Sequence, residues 1–150
     1  MAAFRTCIAL SPGTAWCYHD RARAEEALGQ GERALSDYSR ALELDPALMA
    51  AALNRGTLSY KAGRHEDAIV DFRRALRAGP DPETAGRIHY NLALARLAQR
   101  DRAAALASAE DAVAAGYRQA RDLRDDLRRQ AGLHAKTPGQ DQDAKNTKKK

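Results

Sequence analysis

The sequence contains few aromatic residues, few strand-favouring side chains and no long apolar run. Phe, Trp and Tyr together make up 5% of the 150 residues. Val, Ile, Phe and Thr, which favour strands, are scarce, whereas Ala, Leu, Arg and Glu, which favour helices, are abundant. No segment approaches the roughly 20 apolar residues of a membrane-spanning helix. The short apolar start before Pro12 does not form a secretory signal. The composition therefore predicts an all-helical protein in the cytoplasm.

The two cysteines and four histidines form no pattern that suggests chemistry. Cys7 and Cys17 lie on apolar helical positions without a C-x-x-C pair, so we expect both to be reduced packing residues rather than a disulfide or metal ligands. The histidines share no metal-ligand spacing: His19, His65, His89 and His134. Gly-rich phosphate loops and nucleophile motifs are also missing. The sequence therefore predicts neither an enzyme nor a cofactor.

The positive charge is concentrated at the C-terminal end. The formal net charge is +5. Residues 132–150 contain five Lys and two Asp, which is +3 and leaves +2 for the other 131 residues. This segment has almost no apolar side chains, so we expect a disordered Lys-rich tail. Its lysines suggest at most weak nonspecific attraction to polyanions, and nucleic-acid binding through the tail and the Arg-rich helices is the least favoured function.

The sequence repeats itself with a period of 34 residues. An ordinary helical bundle has apolar stripes but no fixed period, so this recurrence indicates a stacked array. A third copy follows at Ala105-Leu106, displaced by a three-residue insertion near residues 81–85. The recurring sets are Pro12, Pro46 and Pro80; Phe4, Tyr38 and Phe72; Cys7, Ala41 and Ala75; and Ile8, Leu42 and Leu76.

Each repeat is predicted to contain two helices. First helices are expected at 14–28, 48–62 and 83–98, and second helices at 31–44, 65–78 and 102–115. Thr14 and Asp81 are candidate N-caps, and Pro82 suits the first turn of a helix. Gly29 and Gly63 lie where one helix must stop. Small residues at Ala34, Ala68 and Ala105 would allow the paired helices to approach closely.

This pattern resembles the tetratricopeptide repeat family, by its A-x3-F…P spacing, its 34-residue length and its helix–turn–helix unit. The resemblance implies an all-α, right-handed α-solenoid of stacked antiparallel helix pairs. The family's W-x2-L-G-x2-Y signature is degraded in the first helices. Its counterparts are Tyr18-x2-Arg21-Ala22-x2-Glu25, Ala52-x2-Arg55-Gly56-x2-Ser59 and His89-x2-Leu92-Ala93-x2-Arg96.

The predicted domain covers residues 1–131 and consists of about three full repeats with a partial unit at each end. The repeats are 1–12 (an N-terminal half-repeat), 15–46, 49–80 and 86–116, followed by a capping helix at 118–131. The stripe of Ala120, Leu123, Leu127 and Ala131 is expected to face inward. The half-repeat leaves an apolar edge, for which we expect a longer array or, as the competing explanation, self-association.

The resemblance also implies a concave groove lined by the first helices, as in family members that bind extended peptides. Asp20, Asn54 and Asn91 occupy equivalent positions, where asparagines of such proteins hold the peptide backbone. An Asn can both donate to and accept from a peptide group; a solvated Asn near a helix start is the competing interpretation. The other candidate groove residues are Trp16, His19, Arg23, Leu53, Thr57, Tyr60, Lys61, Arg87, Tyr90 and Leu94.

A variant of the family clamps the C-terminal carboxylates of heat-shock chaperones. This chain has His19 and Arg23 where that variant needs a Lys/Asn pair, and Arg87 and Asn91 where it needs Lys and Arg, so only Asn54 and Arg87 are compatible. The sequence favours a protein–protein interaction scaffold that binds an extended peptide or partner segment. The alternative is a helical segment of a larger multidomain protein, for example the regulatory tail of a bacterial kinase or secretion component.

Overall fold

The computed structural model describes residues 2–132, and the predicted disordered tail lies outside these residues from residue 133 onward. Within them every regular secondary-structure element is an α-helix, as the composition predicted. Every bound of the six central helices falls within one residue of its predicted position. The helices are α1 (Ala2–Leu10), α2 (Ala15–Ala27), α3 (Gly31–Leu44), α4 (Met49–Lys61), α5 (His65–Arg77), α6 (Pro82–Ala98), α7 (Arg102–Ala114) and α8 (Ala120–Gln130).

The helices form a solenoid in which each packs mainly on its neighbours in the chain. The pairs α2/α3, α4/α5 and α6/α7 are the three full repeats, α1 is the second helix of a partial repeat, and α8 covers the other end. The helix ends follow local chemistry. Asp81 caps α6 by accepting from the Thr84 amide at 3.0 Å, and Pro82 occupies the first turn. Thr14 precedes α2 but makes no side-chain capping bond.

Small residues set the distance between the two helices of a repeat. Ala34, Ala68 and Ala105 are fully buried, and Tyr38 and Phe72 fill the space beside the first two. A Cβ atom added to Gly56 would lie 2.9 Å from the Phe72 ring, closer than real Cβ contacts. In the second repeat the backbone of α4 at Gly56 therefore packs directly against the Phe72 ring of α5.

The third repeat has a thinner core. Ala109 stands where the earlier units have Tyr38 and Phe72, and the capping helix supplies the missing volume with Leu127, which is buried, and Leu123, which is partly buried. Ala131 was expected to join this stripe, but it follows the last residue of α8 and is exposed. The inward stripe of the cap therefore ends one turn earlier than predicted.

Two partly buried ion pairs join the helices of the first two repeats. The Arg21 guanidinium donates to both carboxylate oxygens of Asp37, at 2.5 and 2.7 Å, and Arg55 does the same to Asp71, at 2.7 and 2.6 Å. The hydrogen bond to Asp71 raises the pKa of the Arg55 guanidinium. Bidentate contacts of this kind fix the angle and height of one helix on the other.

The cysteines are not reduced, contrary to the expectation from the sequence. Cys7 of α1 and Cys17 of α2 form a disulfide with Cα atoms 5.8 Å apart. The two residues belong to different repeats, so neither the helical pattern nor the 34-residue period brings them together. None of the α1 side chains from Ala3 to Leu10 is fully buried. The disulfide is therefore the strongest attachment of α1 to the array.

We predict that Cys7→Ser, or reduction of the wild-type protein, loosens α1 alone. A disulfide that closes a loop of this length, with a sequence separation of 10, restricts the detached state by about 2–3 kcal/mol. Hydrogen exchange of the α1 amides should accelerate while α3–α7 stay unchanged. Cys7 is exposed, so the serine creates no cavity. Equal protection of α1 in the oxidised and reduced proteins would contradict the prediction.

A second prediction concerns the turn between α6 and α7. Gly29 and Gly63 end α2 and α4 with φ of 73° and 77°, but the equivalent residue of the third repeat is Arg100, with φ of 64°. Residues with a Cβ pay about 1 kcal/mol for this conformation. Arg100→Gly is therefore expected to stabilise the protein by about 0.5–1 kcal/mol in denaturant unfolding. Ala107→Gly, at an exposed position inside α7, is the control and should destabilise it.

Candidate functional site

The candidate groove is the face shared by the first helices α2, α4 and α6. Two side-chain contacts bridge α2 and α4 directly across this face. The Asn54 amide nitrogen lies 3.2 Å from His19 Nε2, and the Lys61 ammonium donates to Glu26 at 3.2 Å. The residues that the sequence grouped as a ligand surface in these two helices are therefore neighbours in space.

His19 lies below this surface rather than on it. It is only 3% exposed, and its Nδ1 lies 3.0 Å from the Asp20 carboxylate. Trp16 packs edge-on against the imidazole with ring centroids 5.0 Å apart, and 52% of Trp16 is exposed. A ligand on this face would meet Trp16 and Asp20, while His19 supports them from beneath.

Tyr38 connects the groove face to the core. Its hydroxyl donates to Glu26 at 3.3 Å, and the Asn54 amide lies near that hydroxyl. Burial is the main cause that raises the pKa of Tyr38, followed by the charge of Glu26 and its hydrogen bond. Tyr38 therefore stays a neutral donor at physiological pH. The sequence identified Tyr38 only as a packing residue.

The remaining candidates of α2 and α4 differ in accessibility. Arg23 is exposed and lines a cavity of about 400 Å³ at the N-terminal end of the groove, with Phe4, Asp20 and Ala24. Leu53 packs partly against the core, and Thr57 donates to the Leu53 carbonyl at 2.9 Å. Tyr60 leans on the His65 ring at 5.3 Å between centroids. Arg23 is therefore the most accessible of these candidates, and Leu53, Thr57 and Tyr60 are half-buried.

The third repeat contributes a different surface. Arg87 is exposed, whereas Tyr90, Asn91 and Leu94 are half-buried. Tyr90 packs on Tyr117 with centroids 5.4 Å apart. The period makes Leu53 the counterpart of His19. Asn91 therefore has an aliphatic side chain at the equivalent position where Asn54 has an imidazole. Asn54 and Asn91 therefore occupy equivalent positions with unlike surroundings.

The two Arg–Asp pairs are structural contacts that the sequence did not reveal, although Arg21 and Arg55 stand in the degraded signature. Arg21 and Arg55 replace the leucine of the family signature, and their partners Asp37 and Asp71 follow sixteen residues later in both repeats. In the third repeat the equivalent residues are Leu92 and Ser108, and Arg96 reaches Ser108 instead, at 2.5 Å. Searching the repeat for paired opposite charges at that fixed spacing finds both bridges.

Glu25 is a buried carboxylate that lacks a full set of partners. It is 7% exposed, and no described residue bonds its Oε2 atom. Burial raises its pKa, and the nearby charge of Asp37 adds to this effect, while Arg21 and Arg33 oppose it. The family signature has a tyrosine here, so the first repeat carries a charge where an apolar ring is usual.

Comparison with known proteins agrees with the repeat geometry. The family model of the tetratricopeptide repeat matches residues 17–48, which cover most of α2, all of α3 and the turn after them. This match identifies the segment as a tetratricopeptide repeat. The fold of the chain is accordingly the α-solenoid of tetratricopeptide repeat proteins.

Curated relatives contain the same repeats within longer chains. Mouse Sperm-associated antigen 1 is 39% identical over 72 residues, which is 48% of this chain and 8% of that protein. Rat DnaJ homolog subfamily C member 3 is 33% identical over 106 residues, 71% of this chain and 21% of that one. Human Tetratricopeptide repeat protein 36 is 40% identical over 80 residues, and the match spans 51% of this chain and 42% of that protein. The chain thus spans less than half the length of these relatives.

Solved structures of tetratricopeptide proteins share the fold. YrrB, described as a TPR protein with an unusual peptide-binding site, superposes with a TM-score of 0.77 at 26% identity, covering 87% of this chain and 67% of that one. The first TPR of Spaghetti (RPAP3), bound to an HSP90 peptide, superposes with a TM-score of 0.70 at 14% identity, covering 79% and 94%. The second likeness concerns the fold alone.

The structure adds two findings on function classes. Within residues 2–132, no helix is both long and apolar enough to cross a membrane. In the same part of the chain, no group of three or more His, Cys, Asp or Glu side chains could hold a metal ion.

We predict that Glu25→Gln stabilises the protein at neutral pH. A carboxyl whose pKa is raised on folding contributes most stability when protonated, and this contribution is lost as the pH rises through the folded pKa. The glutamine stays neutral and is expected to remove part of the cost of the unpartnered buried oxygen, about 1 kcal/mol. Thermal unfolding from pH 4 to pH 8 measures the difference, which should grow with pH.

The control for Glu25→Gln is Glu43→Gln, which removes a carboxylate that is 64% exposed in the same repeat. Its effect should be small and nearly constant with pH, because an exposed pair contributes little. A Glu25→Gln protein that is less stable than wild type at pH 8 would show that the carboxylate is held by a stabilising partner.

Proposed function

We propose that the array is a protein–protein interaction scaffold that binds an extended peptide along the face of α2, α4 and α6. The observation that carries the proposal is the half-buried Asn54 amide, whose nitrogen lies 3.2 Å from His19 Nε2 at the groove surface. An amide with a free carbonyl oxygen in a shallow groove suits the recognition of peptide backbone, because it forms hydrogen bonds without selecting a side chain.

The surroundings of Asn54 support the same proposal. Trp16 offers a half-exposed ring at one end of the face, and Arg23 and Arg87 are exposed cations on either side. Aromatic rings and Arg are frequent anchors of interfaces. YrrB, with its peptide-binding site, is a relevant comparison because its likeness covers most of this chain.

The partner we propose is a protein or peptide other than a chaperone tail held by the carboxylate clamp. The clamp needs a basic residue and an amide at the positions of His19 and Arg23, and His19 is buried. The HSP90 peptide bound to Spaghetti therefore belongs to that protein, and the shared fold carries no ligand with it.

A second candidate function follows from the length of the relatives. The matched regions are 8% and 21% of Sperm-associated antigen 1 and DnaJ homolog subfamily C member 3. Tetratricopeptide arrays in such proteins form one part of a longer chain. This array can serve in the same way as the helical segment of a larger protein, with the groove still its contact surface.

The cytoplasmic location stays a prediction, and the disulfide provides a test of it. Thiols in the cytoplasm are kept reduced, whereas disulfides persist in oxidising compartments. Rapid alkylation of cell lysates followed by a gel-shift assay reports the state of Cys7 and Cys17 in the cell. A dithiol agrees with the cytoplasm, and a fully oxidised pair contradicts it.

We predict that Asn54→Ala and Asn91→Ala weaken binding of a partner recovered by affinity pull-down. Each substitution removes a hydrogen-bonding amide worth about 0.5–1.5 kcal/mol, so the double variant should bind about 10-fold to 100-fold more weakly in calorimetry. Circular dichroism checks that the array remains folded.

The control for the asparagine variants is Ser36→Ala, an exposed residue of the second helix α3. It should bind like the wild type. A double variant that binds the partner with unchanged affinity would refute the groove as the binding surface.

A further inference from the structure

A chain of polar contacts surrounds Asn54 and crosses three helices. On one side, Asp20 contacts His19 Nδ1 at 3.0 Å and His19 Nε2 contacts the Asn54 amide nitrogen at 3.2 Å. On the other side, Asn54 lies near the Tyr38 hydroxyl, which donates to Glu26 at 3.3 Å, and Glu26 accepts from Lys61 at 3.2 Å. The six residues belong to α2, α3 and α4.

The directions of these hydrogen bonds are fixed by chemistry. The Asp20 carboxylate can only accept, so the proton of a neutral His19 imidazole lies on Nδ1. His19 Nε2 is then an acceptor, and the atom that faces it must be the Asn54 NH2 group. Asp20 therefore determines, through the buried imidazole, which end of the Asn54 amide points at His19.

The Tyr38 side of the chain is compatible with the same orientation. The Tyr38 O–H is directed to Glu26, so its oxygen remains an acceptor for the nearby Asn54 NH2 group. The Oδ1 atom is the part of this side chain that no described residue engages, and it is not among the buried atoms left without a partner.

The repeat that follows has no such arrangement. The period puts Leu53 in the place of His19, Phe72 in the place of Tyr38 and Tyr60 in the place of Glu26. Leu53 and Phe72 have no polar side-chain atom. Asn91, the equivalent of Asn54, thus has no counterpart of the His19 imidazole and the Tyr38 hydroxyl that lie beside Asn54.

We propose that His19 is a positioning residue that holds Asn54 as a fixed hydrogen-bond acceptor on the groove. The groove at this point takes a ligand N–H donor, such as a peptide backbone amide, whereas Asn91 can offer either end of its amide. This inference rests on the proposed function for its ligand, but the orientation itself exists in the free protein. The charged groups around His19 and Asn54 are Asp20, Arg23, Glu26 and Lys61.

The orientation is testable by NMR on the full chain without a ligand. Ring-nitrogen shifts of His19 at pH 7.5 should report the tautomer with hydrogen on Nδ1. The side-chain amide protons of Asn54 should exchange about 10-fold more slowly than those of Asn91, as expected for a hydrogen-bonded amide against a solvated one. The opposite tautomer, or equal exchange at the two asparagines, overturns the proposal.

Two variants separate positioning from simple packing. His19→Phe keeps a ring but removes the acceptor, and it should bring Asn54 exchange to the rate of Asn91. His19→Gln restores a carbonyl acceptor, and it should recover slow exchange at Asn54. If His19→Phe leaves Asn54 exchange slow in a folded array, His19 only fills space and the inference fails.

The ligand prediction uses dodecapeptides selected on the wild-type protein from a random library. N-methylation of each backbone amide in turn should weaken binding about 10-fold or more at one position, and this loss should disappear in Asn54→Ala. If no library member binds the face of α2, α4 and α6, the proposed function fails while the NMR result still decides the role of His19. If peptides bind and no N-methylation is sensitive to Asn54, the acceptor role is refuted.

Discussion

The close approach of the two helices within each repeat is the constraint on which the rest of the array depends. Gly56 meets Phe72 so tightly that a Cβ would lie 2.9 Å from the ring, and fully buried Ala34 and Ala68 continue this contact. Small residues allow the close approach but do not define the angle between the two helices, because a contact between small side chains lets the helices shift against each other. The bidentate pair of Arg55 and Asp71 supplies the missing direction. Removing one partner of such a pair leaves the other charge partly buried without its counterpart.

The period of the sequence was sufficient to predict the helices because repeated packing contacts produce repeated residues. It predicted the bounds of the six central helices to within one residue. It failed where a contact joins different repeats or has one copy only. The disulfide between Cys7 and Cys17 links two repeats, and the exposed Ala131 lies past the end of a helix that has no second copy.

The candidate site was less predictable than the fold for a related reason. A position on the groove side of a helix does not reveal how deep the side chain lies, and depth depends on the neighbouring repeat. His19 was grouped with surface residues, yet it is 3% exposed because α4, Trp16 and Asp20 cover it. The hydrogen bond of the Tyr38 hydroxyl was also not predicted, because the repeat pattern treats Tyr and Phe as equivalent. The period assigned these residues to the first helices, but it could not reveal the depth or the hydrogen bonds of each side chain.

The array is regular in its second helices and irregular in its first, and this division fits a scaffold whose groove is specific. The second helices carry the shared packing, which tolerates little change, since Tyr38 and Phe72 are both fully enclosed. The first helices carry Asn54 and Asn91 at equivalent positions, but only Asn54 has an imidazole and a hydroxyl beside it. Repeats that fold alike can therefore present unlike hydrogen-bonding groups to one bound chain. A ligand that crosses all three repeats would meet a fixed acceptor at Asn54 and an adaptable amide at Asn91, so the hydrogen-bonding groups that it must supply differ between the second and the third repeat.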